Sequence, residues 1–146
     1  MDEGVDTGDI LNVIECEIGI NDTTEYMYEV LAPLGAKAMT ETIDLIKKGE
    51  LKPVKQDESM ASKVGLLSKE MSPIDWTKSA FEVHNKIRGL YSWPGASTKL
   101  VGKTLKIHSS VLSDKSGHNI PGEIVDNCGK IIVACGDNKC VELKEI

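Results

Sequence analysis

A chain of 146 residues with 40% hydrophobic side chains can build one compact domain or two small ones, and with 4% aromatics its core must be mainly aliphatic. No apolar stretch approaches the ~20 residues needed to span a bilayer, and the opening Met1-Asp2-Glu3 lacks the cationic start of a signal peptide, so membrane residence is not expected and a cytoplasmic protein is. The net charge of −6 conceals an asymmetry: residues 1–50 carry twelve acidic and three basic side chains (−9), residues 51–108 carry five and ten (+5), and the remainder six and four (−2), so a basic middle segment is available to steer a polyanion.

In chain order, Asp2 to Asp9 is rich in acid and glycine and reads as a loop. Ile10 to Ile18 alternates like a strand, with Ile10, Ile14, Cys16 and Ile18 on one face. Asn21-Asp22-Thr23-Thr24 offers helix N-caps. Helical spacing then runs through Tyr26, Met27 and Val30 and again through Leu34, Met39, Ile43 and Ile46, with Pro33 predicting two helices. Lys47-Lys48-Gly49 is a helix ending: cations complement the dipole and glycine permits a left-handed cap.

From Leu51 to Pro73 the periodicity fades into lysine, serine, aspartate and proline, which predicts a linker between two units. Ser79-Ala80-Phe81-Glu82 is a capping box opening a helix whose stripe is Ala80, Val83, Ile87 and Leu90, and Trp93-Pro94-Gly95 ends it near Gly89. Short β-branched runs follow at Thr98 to Val101, Thr104 to Leu112, Gly122 to Val125, Ile131 to Cys135 and Cys140 to Ile146, separated by turn-forming residues. Five short strands at this spacing suggest a small OB-like barrel. The first residues are a loop that begins nowhere and the last strand runs to Ile146 without a polar tail, so a fragment is expected. Cys16, Cys128, Cys135 and Cys140 show no C-x-x-C pairing and His84, His108 and His118 lie at no zinc-ligand spacing, so reduced thiols and no metal are expected. A packed or hydrogen-bonded role suits His84, and Trp76 and Trp93 should pin the second helix to the barrel.

Three groups of strings carry a resemblance. Met1-Asp2-Glu3-Gly4-Val5-Asp6-Thr7-Gly8-Asp9, then Gln56-Asp57-Glu58-Ser59 with Leu67-Ser68-Lys69-Glu70 and Ile74-Asp75-Trp76, then His84-Asn85-Lys86-Ile87-Arg88-Gly89-Leu90 with Trp93-Pro94-Gly95-Ala96 and Gly102-Lys103-Thr104-Leu105-Lys106-Ile107 resemble, in that order, the back half of the methionyl-tRNA formyltransferase family. The resemblance implies an α+β chain: residues 1–50 as the tail of a Rossmann-like formyltransferase domain, 51–73 as interdomain linker, and 74–146 as an OB-like C-terminal domain, truncated at its end.

The resemblance also implies a parent enzyme that moves a formyl group from 10-formyltetrahydrofolate to the amino group of methionyl initiator tRNA. The partners it implies are that tRNA and the folate co-substrate, and a monomer is expected. Asp6 matches the aspartate that orients and supports the family's catalytic histidine, while Asp2, Gly4 and Val5 fall on the folate-facing loop. The family's active-site asparagine and histidine have no counterpart here, so the chain alone is expected to be inactive. Lys55, Lys63, Lys69, Lys103, Lys106 and Arg88, together with Lys52 and Lys99, are candidates for tRNA phosphates; Arg88 serves equally as a structural partner of Asp75 or a carbonyl. Leu66 departs from the lysine the family often carries before its leucine-serine-lysine-glutamate string. Two rivals share the domain pair, a sugar-nucleotide N-formyltransferase and a formyltetrahydrofolate hydrolase. A third, a free-standing OB-type RNA-binding module, would need stacking aromatics, and no Phe, Tyr or Trp follows Trp93.

Overall fold

In the computed structural model, which describes residues 3–116, 120–126 and 129–146, the chain folds as two units: Met1–Ile18 with Met27–Gly65, and Gly19–Tyr26 with Leu66–Ile146.

The first unit is built on helix α1 (Thr24–Lys48), whose first turn falls in the segment assigned to the second unit. The helix starts where the caps predict, with Tyr26 N–H donating to Thr23 Oγ1 at 3.2 Å. It ends in a Schellman closure: Glu50 N–H donates to Leu45 O at 3.0 Å, Gly49 N–H donates to Ile46 O at 3.1 Å, and Gly49 sits at φ 71°. The expected break at Pro33 is not there, and α1 is one helix of 25 residues. A half-buried stripe of Val30, Leu34, Ala38, Thr42 and Leu45 continues through the proline without a change of phase, so packing outweighs the single hydrogen bond that Pro33 removes. Asn12 fastens the preceding segment to this helix by donating from Nδ2 to Ala38 O and Glu41 Oε2, each at 3.4 Å.

The expected strand at Ile10–Ile18 is likewise absent as a strand. Period-two alternation survives, with Asn12, Ile14 and Cys16 half-buried, but Ile10 and Ile18 are 40% and 64% exposed instead of sharing that face. Ile10 makes an isolated antiparallel bridge with Val54. Among the described residues no strand lies beside residues 11–18, and without a neighbour an extended segment has no ladder.

In the second unit, helix α2 (Ala80–Gly89) has the full capping box: Ser79 N–H donates to Glu82 Oε2 at 3.0 Å and Glu82 N–H to Ser79 Oγ at 3.2 Å. Six strands follow, where five runs were expected: β1 Ala96–Leu100, β2 Lys103–Ile107, β3 Ser109–Ser116, β4 Ile124–Asp126, β5 Ile131–Ala134 and β6 Lys139–Glu145. The run from Thr104 to Leu112 is divided at His108, where the chain leaves β1 and takes β6 as partner: His108 N–H donates to Glu145 O at 2.9 Å. Hence the described residues form two antiparallel sheets, β1-β2 and β3-β6-β5-β4, and no closed barrel. Val101 and Gly102, at φ 47° and 74°, make the two-residue β1–β2 turn.

The core lies between α2 and one face of the sheets: Ala80, Val83 and Ile87 meet Ala96, Ile107, Val133, Cys135, Val141 and Leu143. Each fully buried Val or Ile there contributes about 1.5–3 kcal/mol of burial free energy. A smaller cluster of Ile132, Ala134 and Cys140 occupies the other sheet face. Trp76 packs against the main core and donates from Nε1 to Thr98 Oγ1 at 3.0 Å, whereas Trp93 is 55% exposed. His84, 1% exposed, lies between Ile20 O (Nε2, 2.8 Å) and Ser110 Oγ (Nδ1, 3.0 Å). A carbonyl accepts only, so it is Nε2 that donates to Ile20 O.

Candidate functional site

Residues 3–9 are a succession of bends rather than regular structure. Asp6 has φ 59°, a left-handed conformation that aspartate tolerates better than most side chains. A Cβ at Gly4 would stand 2.5 Å from Thr7 Oγ1, so a larger residue there would have to displace the Thr7 side chain. After this loop, Ile10 and Val54 exchange backbone hydrogen bonds of 2.8 and 2.9 Å, which brings the segment around Pro53 alongside. Two residues further on, Gln56 Nε2 donates to Asp6 O at 2.8 Å and to Gly8 O at 2.6 Å.

The result is an open cavity of about 830 Å³ lined by Gly4, Asp6, Gly8, Asp9, Leu11, Pro53 and Gln56, a volume suited to a small organic ligand. Its lining presents carboxylates, carbonyls and glycine backbone, and no basic side chain among the described residues. Of the residues singled out from sequence, Asp6 and Gly4 line this cavity, Val5 is 90% exposed, and Asp2 lies outside the described residues. Sequence alone does not announce Asp9, Leu11, Pro53 and Gln56 as lining, because their meeting depends on a pairing between segments more than forty residues apart in sequence. The one signal in the sequence is Gln56 at the head of the Gln56-Asp57-Glu58-Ser59 string. Next to it, Ser59 donates from its hydroxyl and its N–H to Asp57 Oδ1 at 2.7 and 2.9 Å, and these bonds hold the Asp57 carboxyl below its usual range.

The candidate phosphate-binding side chains are divided between the units. Lys52, Lys55 and Lys63 are exposed in the first. In the second, Lys69 opens the 3-10 turn Lys69–Met71, and Lys99, Lys103 and Lys106 lie on the β1–β2 hairpin. Register places Ser97 opposite Lys106 and Lys99 opposite Thr104, so Lys99 and Lys106 share one face while Lys103 stands at the turn on the other. Lys99 Nζ donates to Thr104 Oγ1 at 2.8 Å. Arg88 is engaged within the unit: Nε donates to Asn85 Oδ1 at 2.8 Å, and Nη1 to Asp22 O at 2.7 Å and Gly19 O at 3.3 Å. Its carbonyl partners make it a clamp on the 19–22 turn.

Among the described residues no cluster of His, Cys, Asp and Glu has the makings of a metal site, and no helix is long and apolar enough to cross a membrane. Cys135 and Cys140 are buried free thiols, and Cys16 is half-buried.

Residues 66–146 match the family described as formyl transferase, C-terminal domain. A methionyl-tRNA formyltransferase from Acidobacterium capsulatum is 38% identical over all 146 residues, which cover 47% of its length. The chain therefore spans about half the length of this curated relative. Among solved structures, an N-formyltransferase from Helicobacter canadensis in complex with folinic acid and dTDP-3-aminofucose superposes with a TM-score of 0.78 at 22% identity, covering the whole of this chain and 53% of that one. The sugar 3N-formyl transferase WlaRD, solved with dTDP and 5-N-formyl-THF, does so with a TM-score of 0.76 at 24% identity, covering 100% and 52%.

Proposed function

The chain belongs to the formyltransferase family, carrying its C-terminal domain over residues 66–146, and from that premise we propose that it is the back half of an enzyme moving a formyl group from 10-formyltetrahydrofolate to the amino group of methionyl initiator tRNA. The observation that carries this reading is the 38% identity over the entire chain to a protein named for that reaction.

The first unit supports it. α1 leaves Tyr28, Leu31, Met39 and Ile46 exposed, and the extended segment before it leaves Leu11, Val13 and Ile18 exposed. These are apolar surfaces, and among the described residues no strand lies beside residues 11–18, which is what the last part of a larger sheet domain would present.

The chemistry gives each part a task. A neutral amine attacks the formyl carbon, a tetrahedral oxyanion forms, and the C–N bond to the folate nitrogen breaks as a proton passes from the attacking nitrogen to the departing one. Asp6 at the cavity wall orients and electrostatically supports the imidazole that moves this proton, an imidazole supplied by polypeptide outside these residues. The chain alone then turns over no substrate, because residues that act as a unit lose nearly all their effect when one is missing. The folate ring lies against the loop of Gly4 and Val5, where backbone groups read its edge. Lys55, Lys63, Lys69, Lys103 and Lys106 meet tRNA phosphates, which position the RNA without reading its sequence. Arg88 contributes chiefly by holding the 19–22 turn.

A second reading, transfer to an amino sugar on a nucleotide, is favoured by the likeness to two sugar N-formyltransferases. A chimera separates the two: the N-terminal part of the Acidobacterium capsulatum relative is joined to residues 1–146 and supplied with 10-formyltetrahydrofolate. Formyl-methionyl-tRNA as product, with a rate that falls steeply as salt rises, is the expected result. Formylation of a dTDP-amino sugar and not of the tRNA overturns the assignment.

A further inference from the structure

We propose that Gln56 is the positioning residue of the Asp6 loop: its side-chain amide holds the backbone on both sides of Thr7, so that Asp6 meets the cavity in one orientation. The role of Asp6 rests on the functional reading above; the way Asp6 is held rests on geometry alone.

Glycine at positions 4 and 8 leaves residues 3–9 with wide backbone freedom, and no strand or helix includes them. Contacts from outside the loop therefore bear directly on the direction its carboxylates take. Gln56 makes such contacts with one NH2 group, whose two hydrogens serve two carbonyls, Asp6 O at 2.8 Å and Gly8 O at 2.6 Å. Both acceptors are carbonyls, so the nitrogen end of the amide must face them and the oxygen end cannot.

The clamp is itself anchored on either side. Two residues before it, Val54 is tied to Ile10 by two backbone hydrogen bonds; immediately after it, Asp57 caps the 3-10 turn Glu58–Met60 by accepting from Ser59 N–H at 2.9 Å. A short side chain leaving a backbone pinned at both ends has little room to release the loop. Glutamate at 56 would turn carboxylate oxygens toward the same carbonyl oxygens, and methionine would offer no donor. Arginine carries an N–H the same number of bonds from Cα as Nε2 of glutamine, and its guanidinium adds terminal N–H donors for the second carbonyl.

The test compares wild type with Gln56→Met, Gln56→Glu and Gln56→Arg in the 146-residue chain by NMR relaxation. Backbone order parameters of Asp6 and Gly8 should stand near the rigid value of about 0.85 in wild type, fall below about 0.6 in Gln56→Met and Gln56→Glu, and recover in Gln56→Arg. Those of Val133 and Val141 in the second unit should not move. In the chimera described above, kcat should fall about 10- to 100-fold in Gln56→Met with KM for methionyl-tRNA unchanged, and Gln56→Arg should restore it. A loop already flexible in wild type, or equally rigid in all four proteins, overturns the proposal; so does a loop that loosens while kcat stays constant. A chimera inactive with glutamine at 56 counts against the functional reading, and the order parameters still judge the clamp.

Discussion

Gly136→Ala should be among the most damaging small substitutions in this chain. Gly136 begins the Gly136-Asp137-Asn138 turn between β5 and β6, and its N–H donates to Lys78 O at 2.8 Å. A Cβ there would lie 1.8 Å from Thr77 O and 2.5 Å from Thr77 C, and the obstacle is backbone, so no rotamer relieves it. The turn has to lift off the start of α2. That weakens the Lys78 hydrogen bond and the cap in which Asp137 Oδ1 accepts from Ala80 N–H at 3.0 Å. Overpacking of about 1–3 kcal/mol, a backbone hydrogen bond of about 1 kcal/mol and a cap of about 1 kcal/mol give a loss of roughly 3–5 kcal/mol. Small domains have a total stability of about 5–15 kcal/mol. Trp76 packs on the same core, so its fluorescence reports unfolding in urea and on heating. The midpoint temperature should drop by roughly 12 °C or more, and Asp137→Ala, which removes the cap and the 3.3 Å bond from Lys139 N–H but adds no clash, by about a third of that. A loss below about 0.5 kcal/mol for Gly136→Ala would refute the idea that this turn is locked against the helix.

Val101 is 93% exposed at φ 47°, a conformation β-branched residues resist, so Val101→Asn should raise stability by about 1 kcal/mol in the same urea titration; no gain would mean the turn is not strained. The Glu142 carboxyl is held below its usual range by the hydrogen bond from Lys144, then by that from Lys130, against desolvation. A depressed folded-state value adds stability above the ordinary carboxylate range and loses it as pH falls through the depressed one. Glu142→Gln should therefore be less stable than wild type at pH 7, with the gap closing on acidification; a gap independent of pH contradicts the pairing. Burial pushes the Cys135 thiol up to about 12. At pH 8 native protein treated with a thiol reagent and mapped by mass spectrometry should carry label on Cys16 well before Cys135 or Cys140, and equal rates would show the core open.

What was legible in the sequence was local. The capping box at Ser79 to Glu82, the Lys47-Lys48-Gly49 ending and the β-branched runs depend on neighbours within a few residues, and each has its counterpart in the structure. The departures arose where distant segments decide. Pro33 is carried inside α1 by a packing stripe above and below it. Ile10 to Ile18 keeps its alternation but has no strand beside it. His108 divides one run because its two halves pair with different partners. The cavity follows the same rule: Asp6 and Gly4, which line it, stand together in one string, whereas Gln56 reaches that loop across fifty residues of sequence, and no periodicity announces such a contact.

Asp6 is an exposed side chain, so its loss should leave the fold intact. The most direct measurement is single-turnover formylation of methionyl-tRNA by the chimera with Asp6 and with Asp6→Asn. A fall of about 10²- to 10⁴-fold in the chemical step, with tRNA affinity and thermal stability unchanged, is expected. Equal rates for the two proteins would contradict the role assigned to this carboxylate and to the cavity it lines.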